Sequence, residues 1–154
     1  MGTVAWKRTC AGICLVLAVT AAAGRAAAQE TVIGHVKNVS GLATVTHNDL
    51  TYAAVPGMAV HERDMLQTFW NGEMGVTFKD DTRISLGHFS RVTIPQFTFV
   101  PAQRQYGFVI RLLLGTMQYM SGLTAKLAPE TVKIETPTST IGVRGTRFLV
   151  RAAM

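Results

Sequence analysis

The chain has 154 residues, which is enough for one domain, and it carries 15 basic and 9 acidic residues for a net charge of +6. The basic residues do not cluster, so the composition argues against a nucleic-acid-binding protein. The two cysteines, Cys10 and Cys14, lie close to the N-terminus. Any domain that follows them therefore lacks a disulfide, a thiol nucleophile and a cysteine zinc site.

Residues 1–28 are typical of a secretory signal peptide. Two basic residues precede an apolar run over residues 9–24, and a row of three alanines ends at Ala28, just before Gln29. The run is shorter than the roughly 20 apolar residues that span a bilayer, so we favour cleavage between Ala28 and Gln29 over a membrane anchor. The sequence thus predicts a periplasmic or secreted protein that does not span the membrane, with one domain over residues 29–154.

Short strands separated by turns are predicted from Thr31 onward. Turn residues such as Ser40-Gly41 and Pro56-Gly57 bound short apolar segments near residues 32–36, 42–46, 52–55 and 65–70. This pattern is typical of an all-β protein.

The most regular part of the chain extends from Met74 to Ile94. Its apolar residues recur at intervals of eight in two sets of the same parity: Val76, Ile84 and Val92, and Phe78, Leu86 and Ile94. Equal spacing across two polar turns predicts three strands stacked over a shared core. We expect a β-solenoid-like or β-roll-like stack of short strands, with an antiparallel β-sandwich as the alternative.

The second half of the chain is also predicted to be β. Pro95 to Tyr106 is interpreted as a long exposed loop, Phe108 to Leu114 as a buried strand, and Gly115 to Met120 as a further strand after a glycine turn. A connection over residues 121–129, with one helical turn, leads to a strand over Val132 to Glu135. No convincing amphipathic helix is predicted.

Residues 136–148 have a composition that disfavours a helix, with one proline, two glycines and five hydroxyl side chains. Pro137 favours an extended entry, and the alternation of Ile141 and Val143 with glycine predicts a glycine-punctuated strand pair. Gly142 and Gly145 bracket an arginine. We therefore expect a crowded backbone, in which valine at either glycine impairs folding.

This stretch resembles the signature of the FecR domain, an extracytoplasmic bacterial module. Two earlier segments, Asp64 to Gly87 and Leu113 to Met117, are similar to other parts of that domain. The resemblance implies that the matching signature residues are structural or partner-binding. They are Thr136, Pro137, Ile141, Gly142, Val143, Arg144, Gly145, Thr146 and Phe148.

The chain departs from the FecR pattern in three places. Asp81 stands where the family usually has glycine, so we expect a turn that does not need a positive φ. The family domain usually continues past the arginine-glycine motif, so we expect a truncated domain or a last strand supplied by a partner. Residues 148–151 would then form an unpaired edge. Few residues precede the apolar run, so the resemblance does not carry direct control of a sigma factor.

Candidate contact residues are few. Arg144 and Arg147 could bind a carboxylate on a partner, although we favour a structural role in which the guanidinium groups hold carbonyls across a glycine turn. The group His61-Glu62-x-Asp64 is interpreted as a solvated turn rather than a metal site. Four aromatic residues could stack on a sugar, although core or rim positions are the simpler interpretation. They are Phe69, Trp70, Tyr106 and Tyr119.

The resemblance and the lack of a catalytic motif lead to one expected function. We expect an exported, non-enzymatic FecR-like module, without cofactor or metal, that binds or relays signals in the bacterial envelope. Its expected partner is an outer-membrane receptor, a membrane regulator or a cell-wall polymer. The alternatives are an envelope scaffold or carbohydrate- or peptidoglycan-binding β domain, and an enzyme without a recognisable motif.

Overall fold

The computed structural model describes residues 30–143 and 147–153. The predicted signal peptide and its cleavage position lie outside these residues. The described part is all-β, as predicted. Its twelve strands are β1 (Val32–Ser40), β2 (Ala43–His47), β3 (Leu50–Ala53), β4 (Ala59–His61), β5 (Met65–Thr68), β6 (Glu73–Phe78), β7 (Arg83–Leu86), β8 (Arg91–Val100), β9 (Gln105–Met120), β10 (Val132–Glu135), β11 (Thr140–Gly142) and β12 (Arg147–Ala152).

One short α-helix, α1 (Leu123–Leu127), and two 3-10 turns, Pro101–Gln103 and Pro129–Thr131, complete the described elements. The helix occupies the connection for which one helical turn is predicted, and β10 follows it where a strand is predicted. Within the described ranges, no helix has the length and hydrophobicity needed to cross a bilayer.

The strands form one curled, open sheet in the order β3-β2-β5-β8-β9-β7-β6-β1-β4. Three further strands join it at its middle, since β10 and β12 pair with β9, and β11 pairs with β10. All pairs are antiparallel except β9 with β10. The right-handed twist of the strands curls the sheet, and its two halves enclose one core.

Strand β9 is the central element because both halves of the sheet contain it. Its first half pairs with β8 and β10, and its second half pairs with β7 and β12. At the junction, Gly115 has a φ of +90°, and a Cβ on it would lie 2.4 Å from Ser90 Oγ. Glycine is therefore required where the strand passes from one half to the other.

The prediction of an exposed loop over residues 95–106 is wrong. Strand β8 continues through Pro95 to Val100, and β9 already begins at Gln105. Pro95 is tolerated because the β8–β9 register shifts between Thr93 and Gln96, so the ladder does not need its missing N–H. Likewise, Gly115 bends one 16-residue strand instead of separating two strands.

The prediction for the regular stretch over residues 74–94 is correct for burial and wrong for strand order. All six equally spaced apolar residues are buried, which confirms the shared core. The stacking order is wrong, because only β6 and β7 are neighbours, with Val76 opposite Ile84, whereas β8 lies between β5 and β9. The turn before β7 also differs from expectation, since Asp81 has a φ of +63°.

Aromatic packing joins the two halves of the sheet. Phe78 on β6 lies 4.8 Å from Phe108 on β9 and 5.8 Å from Phe97 on β8, measured between ring centroids. Burial of one such side chain stabilises a fold by about 1.5–3 kcal/mol, so this cluster contributes strongly to closing the curl.

Candidate functional site

Three buried polar residues of the segment from Asp64 to Gly87 build turns: Thr68, Asp80 and Thr82. The Asp80 carboxylate accepts hydrogen bonds from the Thr82 N–H at 3.0 Å and the Thr82 hydroxyl at 2.8 Å. The Thr68 hydroxyl donates to the Gly87 carbonyl at 2.6 Å and accepts from the Ser90 N–H at 2.9 Å. Because these groups satisfy one another inside the fold, this part of the resemblance reflects structure rather than a contact surface.

Of the strand pair predicted within residues 136–148, the described residues show β11, whose hairpin partner β10 lies just before that stretch. Ile134 lies opposite Ile141, and the turn closes through a hydrogen bond from the Thr136 N–H to the Ser139 carbonyl at 2.8 Å. The Ser139 N–H in turn donates to the Thr136 hydroxyl at 3.1 Å. Val143, which follows the hairpin, is buried.

The expected crowding at Gly142 is wrong. No atom of the described residues lies within 4 Å of the position that a Cβ on Gly142 would take. The other half of that prediction concerns Arg144, Gly145 and Thr146, which lie outside the described residues. The roles assigned to these three signature residues therefore stay predictions.

Strand β12 carries the last signature residue, Phe148, and forms an edge of the sheet. Phe148 is half-buried and packs against Tyr119 with ring centroids 5.1 Å apart, and Val150 is buried. The opposite face presents Arg147, Leu149 and Arg151, and Leu149 is 70% exposed. Among the described strands, β12 pairs with β9 alone, so its second edge is open, as predicted for residues 148–151.

The outer face beside β12 carries four small or polar residues and one leucine in register across five strands. They line a shallow cleft of about 320 Å³ that ends at the exposed leucine, and they are Asn38, Gly75, Ser85, Gln118 and Leu149. With its amide oxygen facing Arg147, Gln118 accepts hydrogen bonds from that guanidinium. Arg147 is thus placed on the outer face, beside the open edge.

The four candidate sugar-stacking residues do not form one surface. Tyr119 is fully buried, and Tyr106 packs near Phe99 at the start of β9. Trp70 is 69% exposed, but its turn is bonded to the turn before β8, through the Phe89 N–H and the Phe69 carbonyl. That turn lies beside Leu114, eight residues along β9 from Tyr106, or roughly 25 Å.

An exposed apolar tip, defined by Leu42, Trp70 and Phe89, was not predicted. The three side chains are 49%, 69% and 61% exposed. Their turns are linked because the Phe69 N–H donates to the Leu42 carbonyl at 3.0 Å and the Phe89 N–H donates to the Phe69 carbonyl at 3.1 Å. The sequence signal was a large apolar residue within each of three polar turns, but only the pairing of distant strands places the turns side by side.

A second cluster that was not predicted joins His47, His61 and Asp64. Asp64 is 1% exposed, so the interpretation of His61 to Asp64 as a solvated turn is wrong for the aspartate, whereas Glu62 in the same turn is exposed. Its carboxylate lies 2.5 Å from His47 Nδ1 and 3.6 Å from His61 Nδ1. The backbone N–H of His61 donates to the same carboxylate at 2.7 Å. On the other side of the His47 ring, Glu30 Oε2 lies 2.5 Å from His47 Nε2.

Strand pairing explains why this cluster forms. Thr46 lies opposite Met65, which brings the end of β2 beside Asp64, and His61 is three residues before that aspartate in a tight turn. The hydrogen bond to Asp64 raises the pKa of His47 above its ordinary value, and the nearby Glu30 adds to this effect. A hydrogen bond from Asn48 lowers the pKa of Glu30.

The comparisons with known proteins give one match. The model of the family described as FecR protein matches residues 64–154, which is more than half of the chain. No curated protein and no solved structure matches the chain. Strands β1 to β4 precede the matched residues, yet β1 pairs with β6 and β2 pairs with β5, so they complete the same sheet. The chain therefore belongs to the FecR family, a regulatory family whose domain is associated with signalling in the cell envelope.

Proposed function

We propose that this protein is an exported, non-enzymatic binding module of the bacterial envelope that relays a signal by holding another envelope protein along the open edge of β12. Its partner is an outer-membrane receptor or a membrane regulator. Family membership supports the signalling role, and the observation that carries the proposal is the open edge of a firmly anchored strand inside the matched residues.

The edge of β12 suits an added strand. An open edge leaves backbone N–H and C=O groups without strand partners, and an extended segment of another protein can pair with them. β12 is held rigidly because Phe148, Val150 and Ala152 pack inward. By contrast, β3 at the far end of the sheet is exposed at all four residues and precedes the family match.

The side chains of β12 indicate the chemistry of the partner strand. Arg147 and Arg151 flank Leu149 on the exposed face, so like charges discourage two copies from pairing through this edge. An incoming strand with acidic residues beside the arginines and an apolar residue beside Leu149 would complement them. We therefore propose an extended acidic and apolar segment as the element that binds here.

Export is part of the same proposal. The predicted signal peptide over residues 1–28 would deliver the domain to the periplasm or the exterior, where such envelope proteins are accessible. Protein recovered from the envelope fraction would begin at Gln29.

A matched pair of substitutions tests the edge. Leu149→Asp adds a charge to the exposed face of β12, whereas Leu50→Asp adds the same charge to the exposed strand β3, where Leu50 is 59% exposed. We expect Leu149→Asp to reduce recovery of the bound envelope protein at least about tenfold, which corresponds to about 1.4 kcal/mol, while Leu50→Asp leaves it unchanged. The measurement is affinity capture from solubilised envelopes with quantitative mass spectrometry.

Both variants should keep the wild-type thermal unfolding temperature, because both leucines are on the surface. Equal recovery with both variants, or equal loss, would contradict the proposal.

The apolar tip favours a second candidate function, the binding of a cell-wall polymer. Exposed Trp70 and Phe89 could stack on sugar rings, as aromatic side chains do in carbohydrate sites. Cosedimentation with peptidoglycan that Trp70→Ala abolishes and Leu149→Asp preserves would support this candidate and count against the edge of β12.

A further inference from the structure

We propose that His47, His61 and Asp64 form a binding site for a divalent transition-metal ion, with zinc as the best match to the ligands, and that Glu30 orients His47 from the far side of its ring. The proposal is independent of the function assigned to β12. Only Asp64 lies within the residues that match the family, so the family match does not itself imply this site.

The donor atoms of the three side chains converge. One potential ligand atom from each of His47, His61 and Asp64 lies within 4.8 Å of the others. A tetrahedral zinc ion with bonds of about 2.0–2.1 Å needs donors about 3.4 Å apart. Rotations that move the donor atoms by about 1 Å are therefore enough to place one ion between two imidazoles and one carboxylate.

The contacts of His47 call for a cation. Both ring nitrogens lie 2.5 Å from a carboxylate oxygen, Nδ1 from Asp64 and Nε2 from Glu30. A neutral imidazole has one N–H, so it can donate to only one of the two carboxylates. The other contact needs a second proton or a metal ion. When Glu30 accepts the Nε2 proton, the Nδ1 lone pair faces Asp64, which is the orientation that a metal ligand requires.

The surroundings match the anatomy of a metal site. Asp64 is buried, and the backbone N–H of His61 donates a hydrogen bond to its carboxylate, so the position of the carboxylate is preorganised. A carboxylate that accepts the distal N–H of a ligating histidine is the usual outer partner in zinc sites, and Glu30 has that place here. The side chains of His47 and His61 are 25% and 22% exposed, which leaves an ion a path from solvent.

The chemistry of the ligands limits which ions the site would bind. Two imidazole nitrogens and one carboxylate suit zinc, copper, nickel or cobalt, whereas calcium and magnesium prefer oxygen alone. Three protein ligands leave a fourth position open to water or another ligand. A bound ion would clip the ends of β2 and β4 to the start of β5.

The test uses untagged protein and Zn²⁺ alone. We expect native mass spectrometry to show one bound ion, and we expect Zn²⁺ to raise the thermal unfolding temperature, since an ion that binds the folded state stabilises it. His47→Gln and His61→Gln should each weaken zinc affinity at least about 100-fold, and Glu30→Gln about 10- to 100-fold, the usual range for an orienting partner.

The chain provides its own controls. His35 is exposed on β1, where it lies opposite Ala59 rather than His61, and the His88 ring lies beside the Gly72 carbonyl and Glu73. We therefore expect His35→Gln and His88→Gln to bind zinc as the wild type does. Circular dichroism establishes that each variant is folded.

Replacing Zn²⁺ by Co²⁺ in the wild-type protein tests the site without any variant, so the test holds even where a variant does not fold. An intense visible absorption band of tetrahedral Co²⁺ in the wild type supports the site, and a weak octahedral spectrum contradicts it. Failure to retain one Zn²⁺, or zinc binding that survives in both His47→Gln and His61→Gln, would overturn the proposal. Those results would assign the second cation at His47 to a proton.

Discussion

Tyr119 shows how a single residue can report on the core. It is fully buried beneath Phe148, and its hydroxyl has no hydrogen-bond partner among the described residues. Burial, above all, raises the pKa of Tyr119 to about 12, whereas a tyrosine in an unfolded chain ionises near 10. The unfolded state therefore loses this proton first as the pH rises, and the folded state is destabilised between pH 10 and pH 12.

We expect Tyr119→Phe to remove the loss of stability between pH 10 and pH 12. At neutral pH the variant should be at least as stable as the wild type, because it no longer buries an unpaired hydroxyl. Between pH 10 and pH 12 the wild type should lose on the order of 2 kcal/mol more stability than the variant, as measured by urea unfolding at each pH. Parallel pH profiles for the two proteins would show that Tyr119 ionises as readily in the folded state as in the unfolded one.

At the scale of elements, β9 is the strand that links the two halves of the sheet, and the positive φ of Gly115 allows β9 to bend between them. Residue alternation was sufficient to predict β6, β7 and the six buried apolar residues of the stretch from Met74 to Ile94, because burial of one face imposes a period of two. It did not predict which strands pair, since pairing depends on contacts between distant residues. Local breakers were also misleading, since Pro95 occupies a register shift and Gly115 a bend within continuous strands.

Two alanine substitutions test which glycine the fold requires and which glycine another residue can replace. Gly115→Ala places a Cβ against Ser90 at a φ of +90°, so we expect a loss of at least about 2 kcal/mol from strain and overpacking combined. Gly142→Ala meets no atom of the described residues and should change stability by less than about 0.5 kcal/mol. Chemical denaturation of both variants measures the difference, and similar losses would mean that crowding does not distinguish these positions.

At the scale of the whole molecule, curling of the sheet separates structural residues from candidate contact residues. Asp80 and Thr82 belong to the family pattern but face inward, whereas Leu149 and the apolar tip face solvent. The open edge over residues 148–151 could be predicted from the family resemblance, because the family domain usually continues with a further strand after the arginine-glycine motif. The cluster of His47, His61 and Asp64 could not, because His47 is distant in sequence from the other two residues and meets them only after β2 pairs with β5.

The same scale explains why one face of the molecule is the best candidate for signalling. The inner face of the sheet is filled by its own core, and β3 is a short, fully exposed edge outside the family match. β12 combines an open edge, a buried anchor and an exposed apolar side chain between two positive charges. A partner strand bound there would extend the half of the sheet that β9 links to the rest of the molecule.

Photocrosslinking in living cells tests this central claim most directly. A photoreactive residue in place of Leu149 should capture one envelope protein through an extended acidic and apolar segment, and the same residue in place of Leu50 should capture none. Crosslinks from position 50 to the same protein, or the absence of any protein crosslink from position 149, would contradict the assignment of β12 as the binding edge.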